Sequence, residues 1–247
     1  MSQRPESQPV ALVTGSAGGL GFAAAERLRD EGFRVHVVWR ASEARVPELE
    51  QGFAGRVHRA DLCEVGAAAR LVEAVLAIDG ELQHIVHAVG DYAEGSLAET
   101  ESDTFRALFE SNLFSARDLA EAARAPLRRA AESGADASML FFGTAGLAGR
   151  GARAKTAAYG AAKSALLVLV RSLAKEEAAH GVRVNMISPG IVPHDGAHAS
   201  TLDEDLQARI PLGRAGTPEE IAEGVHFLTT ARQVTGQDLG IDGGWLL

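Results

Sequence analysis

Short apolar runs recur along the chain, each stopped by glycine or a polar residue and followed by a longer stretch with helical spacing. Val10-Ala11-Leu12-Val13-Thr14, ended by Gly15, reads as a buried parallel strand. Phe22 to Glu31, stopped by Gly32, reads as a helix, and Arg34 to Trp39 as a second strand with Val35, Val37 and Val38 apolar. Arg56 to Ala60 is a short third strand closed by Asp61-Leu62. Val65 to Ile78 is a helix whose apolar face is Leu71, Val72, Val75 and Leu76. His84 to Ala88 is a fourth strand ending at Gly90, Glu101 to Arg124 a helix, and Ser138 to Phe142 a fifth strand. A helix from Thr156 contains Ala165-Leu166-Leu167-Val168-Leu169-Val170. It is apolar almost all round, so it must be covered on more than one side, by the sheet and by something else such as a second subunit. Val182 to Ile187 is a sixth strand, stopped by Ser188-Pro189-Gly190. Pro218 to Thr229 is a helix with Thr217 as N-cap and Pro218 at its first position, and Asp238 to Ile241 is the last strand.

This β-α alternation, without internal repeat or linker, predicts one α/β domain over residues 9–247. Its architecture is a doubly wound parallel sheet of about seven strands with helices on both faces. Met1 to Pro9 is polar and has no apolar signal core, so residues 1–8 read as a flexible tail. Pro193 to Gln207 is polar, with two histidines and several acids, and reads as a substrate-covering loop within a cap at about 193–210.

Composition narrows the function classes. Of 247 residues, 46% are hydrophobic, enough for a substantial core. The formal charge of −9 argues against a nucleic-acid surface, which needs a basic stripe. Cys63 is the only cysteine, which excludes an intrachain disulfide and fits a reducing, cytoplasmic setting. No apolar run approaches the length of a membrane span, and no histidine has partners at metal-ligand spacing.

The chemistry centres on Tyr159-Gly160-Ala161-Ala162-Lys163. Tyr159 and Lys163 lie four apart and so share one helical face. An ammonium beside a phenol lowers its pKa, and such a pair can move a proton to or from a substrate oxygen. An isolated pair at this spacing is more often a packed Tyr and a solvated Lys; the rest of the chain changes that balance. Gly15-Ser16-Ala17-Gly18-Gly19-Leu20-Gly21 lies between a strand and a helix, the setting in which glycines and free helix N–H groups bind a pyrophosphate. Arg40, at the end of the second strand, suits a ribose 2′-phosphate and favours NADP(H); Glu43 nearby leaves NAD(H) open. Asn112, a mediocre helix former inside a helix, points to solvent or makes a specific bond. His87 reads as a packed strand-end histidine. The loops carrying Gly15, Arg40, Asp61, Gly90, Thr144 and Gly190 all leave the C-terminal ends of strands, where ligands bind in such sheets.

With these residues in view, the chain resembles the short-chain dehydrogenase/reductase family of the one-domain, Rossmann-type fold. The resemblance rests on Thr14-Gly15-x-x-x-Gly19-x-Gly21, Asp61-Leu62, Asn112, Tyr159-x-x-x-Lys163 and Asn185-x-x-x-Pro189-Gly190 in family order. Pro211-Leu212-Gly213-Arg214 and Thr235-Gly236-Gln237 to Asp242-Gly243-Gly244 are similar to bacterial 3-oxoacyl-(acyl-carrier-protein) reductases. The resemblance implies that Tyr159 donates the proton, Lys163 lowers its pKa and holds the nicotinamide ribose, and Asn112 fixes a water. It implies that Asp61 and Leu62 contact adenine, the backbone from Ala88 to Gly90 the adjacent ribose, and Pro189, Gly190, Ile191 and Val192 the carboxamide. It also implies a homotetramer. Three positions depart from the family. His87-Ala88-Val89-Gly90 lacks the usual side-chain amides. The serine after the fifth strand is replaced by Gly143 or, with a one-residue shift, by Thr144, whose hydroxyl could serve. His194 stands where a threonine is frequent. The implied activity is hydride transfer between NADP(H) and a carbonyl or secondary alcohol, with a 3-oxoacyl thioester as the expected substrate. The alternatives are a cofactor-binding sensor or silent subunit, and a reductase of a sugar, steroid or pteridine carbonyl.

Overall fold

The structure is a computed structural model that describes residues 8–41, 43–147, 149, 152–193, 207–245 and 247. Seven strands form one parallel sheet: β1 (Val10–Thr14), β2 (Arg34–Trp39), β3 (Val57–Arg59), β4 (His84–His87), β5 (Ala137–Phe142), β6 (Val182–Pro189) and β7 (Asp238–Ile241). The strand order is β3-β2-β1-β4-β5-β6-β7, so the chain reverses direction across the sheet between β1 and β4. That reversal opens a crevice at the strands' C-terminal ends.

Alternation along each strand sends side chains to two cores. Val10 and Leu12 join Ile85, Met139 and Val184 on the face covered by α3 (Ala67–Asp79), α5 (Ser115–Glu132) and α6 (Ala157–Glu177). Ala11 and Val13 join Val86, Leu140 and Ile187 on the face covered by α1 (Gly19–Asp30) and α7 (Pro218–Thr230). Thr217 caps α7 through a reciprocal box with Glu220.

The structure departs from the sequence pattern in four places. A short helix, α2 (Val46–Gly52), follows β2, with Leu49 its only buried residue. The helix expected over Glu101 to Arg124 is α4 (Ser102–Phe109), a π turn at Glu110–Phe114, and α5, which continues through a buried Pro126 to Glu132. The strand expected to stop before Ser188 runs on to Pro189. By length and a mean hydropathy of 1.3, Ala157–His180 would qualify as a membrane span, yet half of it is buried in the fold. Most of the expected tail and of the cap loop, with His194, lies outside the described residues.

Candidate active site and cofactor crevice

The glycine loop leaves β1 at Gly15, whose φ of +75° turns the chain sharply. A Cβ there would lie 2.6 Å from Ala88 O, and one at Gly21 would collide with Gly15 O, so the loop closes only with glycine at both places. Helix α1 starts from Gly18 with no side-chain cap, and the first bond of its turn is Phe22 N to Gly18 O. The N–H groups of Gly19, Leu20 and Gly21 thus stand at the helix head, which suits an anion. Ser16 does not join that surface. It is fully buried, and its hydroxyl donates to Val13 O at 2.7 Å while its N–H donates to Val38 O at 3.0 Å. Register with β2 makes Ser16 a tie of the loop, which corrects its assignment as a cofactor contact.

At the end of β5, Gly143 N donates to Ile187 O at 2.7 Å, and a Cβ on Gly143 would lie 2.7 Å from Met186 Sδ. No side chain fits there. Thr144 is the hydroxyl at this strand end, near enough to Tyr159 to favour its ionised form. Tyr159 packs edge-on against Tyr92, with ring centroids 5.0 Å apart. A bridge between Gly95 and Thr156 pins the β4–α4 loop to the head of α6 and so brings the two rings together.

Lys163 lies one turn further along α6 and is buried. Its Nζ donates to Phe142 O at 2.7 Å and lies 5.8 Å from the Tyr159 ring centroid. Desolvation pulls the Lys163 amine down to about 7. Burial raises the Tyr159 phenol above its ordinary value, opposed by the Arg153 guanidinium and by the nearby Thr144 hydroxyl. The sequence reading made Lys163 the group that lowers the phenol's pKa; here Arg153 and Thr144 are the groups that do so. At neutral pH the phenol is therefore protonated and can donate. Arg153 was not singled out from sequence. Arg153 folds back over Gly160, and its Nη2 donates to Ala145 O.

Asn112 sits in the π turn, fully buried. Its Nδ2 donates to Asp91 O at 2.9 Å and Leu108 O at 3.0 Å. Its Oδ1 has no partner, and a Cβ on Gly90 would collide with that oxygen and lie 3.2 Å from Lys163 Nζ. Gly90 thus leaves open the space that Asn112 and Lys163 share. Behind them His87 joins β1 to the π turn. Ser115 Oγ donates to Ser111 O at 2.6 Å, so it accepts from His87 Nε2 at 3.1 Å, and His87 Nδ1 accepts from Thr14 Oγ1 at 2.9 Å. Burial holds His87 down to about 3 and keeps it neutral.

Further along, the segment after β6 is clamped in place. Pro189 O accepts from Ala145 N at 3.0 Å, Gly190 N donates to Ile241 O at 3.0 Å, and Ile191 O accepts from Gly216 N at 2.9 Å; Val192 is buried. At the other end of the crevice a cavity of about 730 Å³ is lined by Arg40, Arg59, Asp61 and Arg70 among others. Asp61 Oδ1 accepts from Cys63 N at 3.0 Å, while the Leu62 side chain is buried in the core, leaving Asp61 and backbone to face an adenine. Ala88 is half-buried beside the glycine loop.

These residues fit a dinucleotide: a glycine cradle at a helix head, an unsatisfied buried oxygen at Asn112, and a buried Lys163 amine with a single bond drawn to Phe142. The chain is also similar to known proteins. A family model described as Enoyl-(Acyl carrier protein) reductase matches residues 15–246. Carbonyl reductase family member 4 of Danio rerio is 30% identical over 238 residues, covering 95% of this chain and 97% of that protein. The 3-oxoacyl-[acyl-carrier-protein] reductase FabG of Escherichia coli is 30% identical over 242 residues, covering 95% and 96%. The crystal structure of a blue fluorescent protein from a metagenomic library, in complex with NADPH, superposes with a TM-score of 0.86 at 29% identity, covering 97% of this chain and 98% of that one. Fold, glycine loop and the Tyr159–Lys163 helix together place the chain in the short-chain dehydrogenase/reductase family of oxidoreductases.

Proposed function

We propose that the protein is an NADP(H)-dependent reductase of a ketone, with a 3-oxoacyl thioester as its substrate class. The observation that carries this reading is the meeting of Thr144, Tyr159 and Lys163 at the end of β5, beside the unsatisfied Asn112 oxygen. When bound, the cofactor supplies the hydride. The glycine loop and the head of α1 hold its pyrophosphate, Arg40 its 2′-phosphate, and Asp61 and the backbone from Ala88 to Gly90 its adenosine. The segment Pro189 to Val192 meets its carboxamide. Tyr159 donates a proton to the carbonyl oxygen as charge develops there, and Thr144 donates to the same oxygen. Lys163 binds the ribose, and the free oxygen of Asn112 accepts from a water that leads protons from Lys163 to solvent.

The thioester class is supported by the FabG relative. A small-carbonyl reductase is the second reading, supported by the Danio rerio carbonyl reductase. NADP(H) is favoured over NAD(H) by Arg40 and by the NADPH-bound neighbour. We further propose a cytoplasmic homotetramer without nucleic-acid or membrane partners. Exposed Val168 on α6 and Phe227 on α7 supply apolar surface for subunit contacts.

Tyr159→Phe tests the reading. NADPH oxidation with a β-keto thioester should fall by about 10²–10⁴-fold while cofactor binding persists. Undiminished turnover would refute the role of Tyr159, and a panel of small ketones decides between the two substrate classes.

A further inference from the structure

Two hydroxyls meet at the end of β5, and each is followed in the chain by a residue that one arginine touches. Ala145 follows Thr144, and Gly160 follows Tyr159. Arg153 Nη2 donates to Ala145 O. The stem of the same side chain fills the place of a side chain at Gly160, where a Cβ would lie 2.5 Å from Arg153 Cδ. Any larger residue at 160 would push the arginine off the first turn of α6. The backbone beside it is fixed as well. Thr156 N donates to Arg153 O at 3.2 Å, and Gly95 N donates to Lys155 O at 2.7 Å. The arginine is thus held at its base by the β4–α4 loop, along its stem by α6, and at its head by the residue after Thr144.

Its charge has no acidic partner among the described residues. It bears on two phenols instead. The guanidinium opposes the upward pull of burial on Tyr159, and it favours ionisation of Tyr92, whose ring stands edge-on to Tyr159. The other charged groups nearby are engaged elsewhere: Lys163 Nζ donates to Phe142 O, and Glu94 accepts from the Tyr92 hydroxyl at 2.8 Å. When Tyr159 gives its proton to a carbonyl oxygen, a phenolate is left in a buried place, where an unpaired anion is costly. A fixed guanidinium lowers that cost and needs no reorganisation as the proton moves.

We propose that Arg153 is a positioning residue that ties Thr144 and Tyr159 into one frame and holds a permanent positive charge at the phenol. This rests on the reading of Tyr159 as the proton donor to a carbonyl.

The test uses the full chain with three variants. Arg153→Met keeps the stem and drops the charge, Arg153→Lys keeps the charge without the fork, and Gly160→Ala displaces the stem and removes no charge. The chain has two tyrosines, so fluorotyrosine labelling gives two fluorine NMR signals, assigned with Tyr92→Phe. In Arg153→Met the Tyr159 signal should titrate about one pH unit or more above wild type, the low end for loss of an opposite charge. The rising limb of kcat/KM for alcohol oxidation with NADP+ should move by the same interval. At neutral pH, kcat for ketone reduction should fall by about three- to tenfold. Arg153→Lys should recover most of the shift, and Gly160→Ala should show part of it. An unmoved Tyr159 titration in Arg153→Met, or one displaced equally by Arg153→Lys, would overturn the proposal; an unmoved titration with a lowered unfolding midpoint would make Arg153 a loop tie only. If Arg153→Met does not fold, Gly160→Ala decides in its place, and an unmoved titration there overturns the proposal. The titration needs no substrate. If it moves as stated while wild type turns over no carbonyl, the charge at the phenol stands and the reductase reading fails. If carbonyls are turned over with the titration unmoved, the reverse holds.

Discussion

The crevice around Lys163 and the cluster around Asp79 are both buried, polar and charged, and they differ in whether their hydrogen bonds close. Asp79, at the end of α3, takes Arg34 Nη1 at 2.7 Å and Arg56 Nη2 at 3.1 Å on Oδ1, and Arg56 Nε at 2.7 Å and His36 Nε2 at 2.8 Å on Oδ2. Each acceptor site of the carboxylate is filled. Because His36 Nε2 donates to Asp79, its Nδ1 accepts from His58 Nε2 at 2.9 Å, and the chain ends there. The Arg56 hydrogen bond holds the Asp79 carboxyl far below its usual range, while burial lowers His36 to about 4. Around Lys163 the accounts stay open: Asn112 Oδ1 is buried without a partner, and Lys163 gives one bond to Phe142 O. A closed network fastens β2, β3 and α3 together. An open one is poised for a ligand and a water to complete it.

Substitution at the open network should break activity and spare the fold. Lys163→Met should lower kcat by about 10²–10⁴-fold, the range for a general acid–base group. Its unfolding free energy should stay within about 1 kcal/mol of wild type, since the lost bond to Phe142 O is offset by removal of a buried amine. A large fall in the unfolding midpoint would mean that Lys163 is structural. Thr144→Ala should cost about 2.7–4 kcal/mol of transition-state stabilisation, while Thr144→Ser, which keeps the hydroxyl, should cost little. Equal rates for Thr144→Ala and wild type would remove Thr144 from the site.

The closed network should answer in the opposite way. Asp79→Ala strands Arg56 and His36, while Arg34 keeps its pair with Glu81, and should destabilise by about 3 kcal/mol, the lower end for a broken buried pair because both arginines reach water. Per folded molecule, its kcat should match wild type. Denaturant midpoints and single-concentration turnover of the folded fraction check both halves.

How much of each region could be read from sequence follows from the same contrast. The strands were legible because short stretches rich in apolar residues recur between glycines and polar stops, most plainly Val10 to Val13. The site was legible because Tyr159 and Lys163 sit one turn apart on one helix, and because the glycine loop has a strand before it and a helix after it. The cluster at Asp79 was not, since its members lie on β2, β3 and α3 and meet only through sheet register. Helix α2 carries one buried residue, too few to set a period. The π turn at Asn112 has no propensity signature, and a proline inside a helix, as at Pro126, runs against the propensity that packing overrides in α5. Ser16 was misassigned for a related reason: a small polar residue in a glycine loop reads as a phosphate contact until the register with Val38 is known.

The finest separation of the two regions is by pH. Lys163 has a folded pKa of about 7 against an ordinary 10.5, so between these values the unfolded chain holds a proton that the folded one lacks. Stability then rises with pH across that interval, by no more than about 1.4 kcal/mol per pH unit. The thiol of the exposed Cys63, raised to about 11 by partial desolvation and by the Asp61 carboxylate, acts in the opposite sense above 9, which leaves pH 7 to 9 as the clean window. On the acid side, His36 is neutral in the fold down to about 4, so stability falls as pH drops from 6.5 toward that value, and burial of His84 and His87 adds to the same limb. Asp79 continues the loss below about 4. Lys163→Met should therefore flatten the wild-type profile from pH 7 to 9 and leave the His36 and Asp79 parts of the acid limb unchanged, as followed by urea unfolding at each pH. Parallel wild-type and variant profiles over pH 7 to 9 would show that the Lys163 amine keeps its proton in the fold, and the open network would then carry a full positive charge before any ligand arrives.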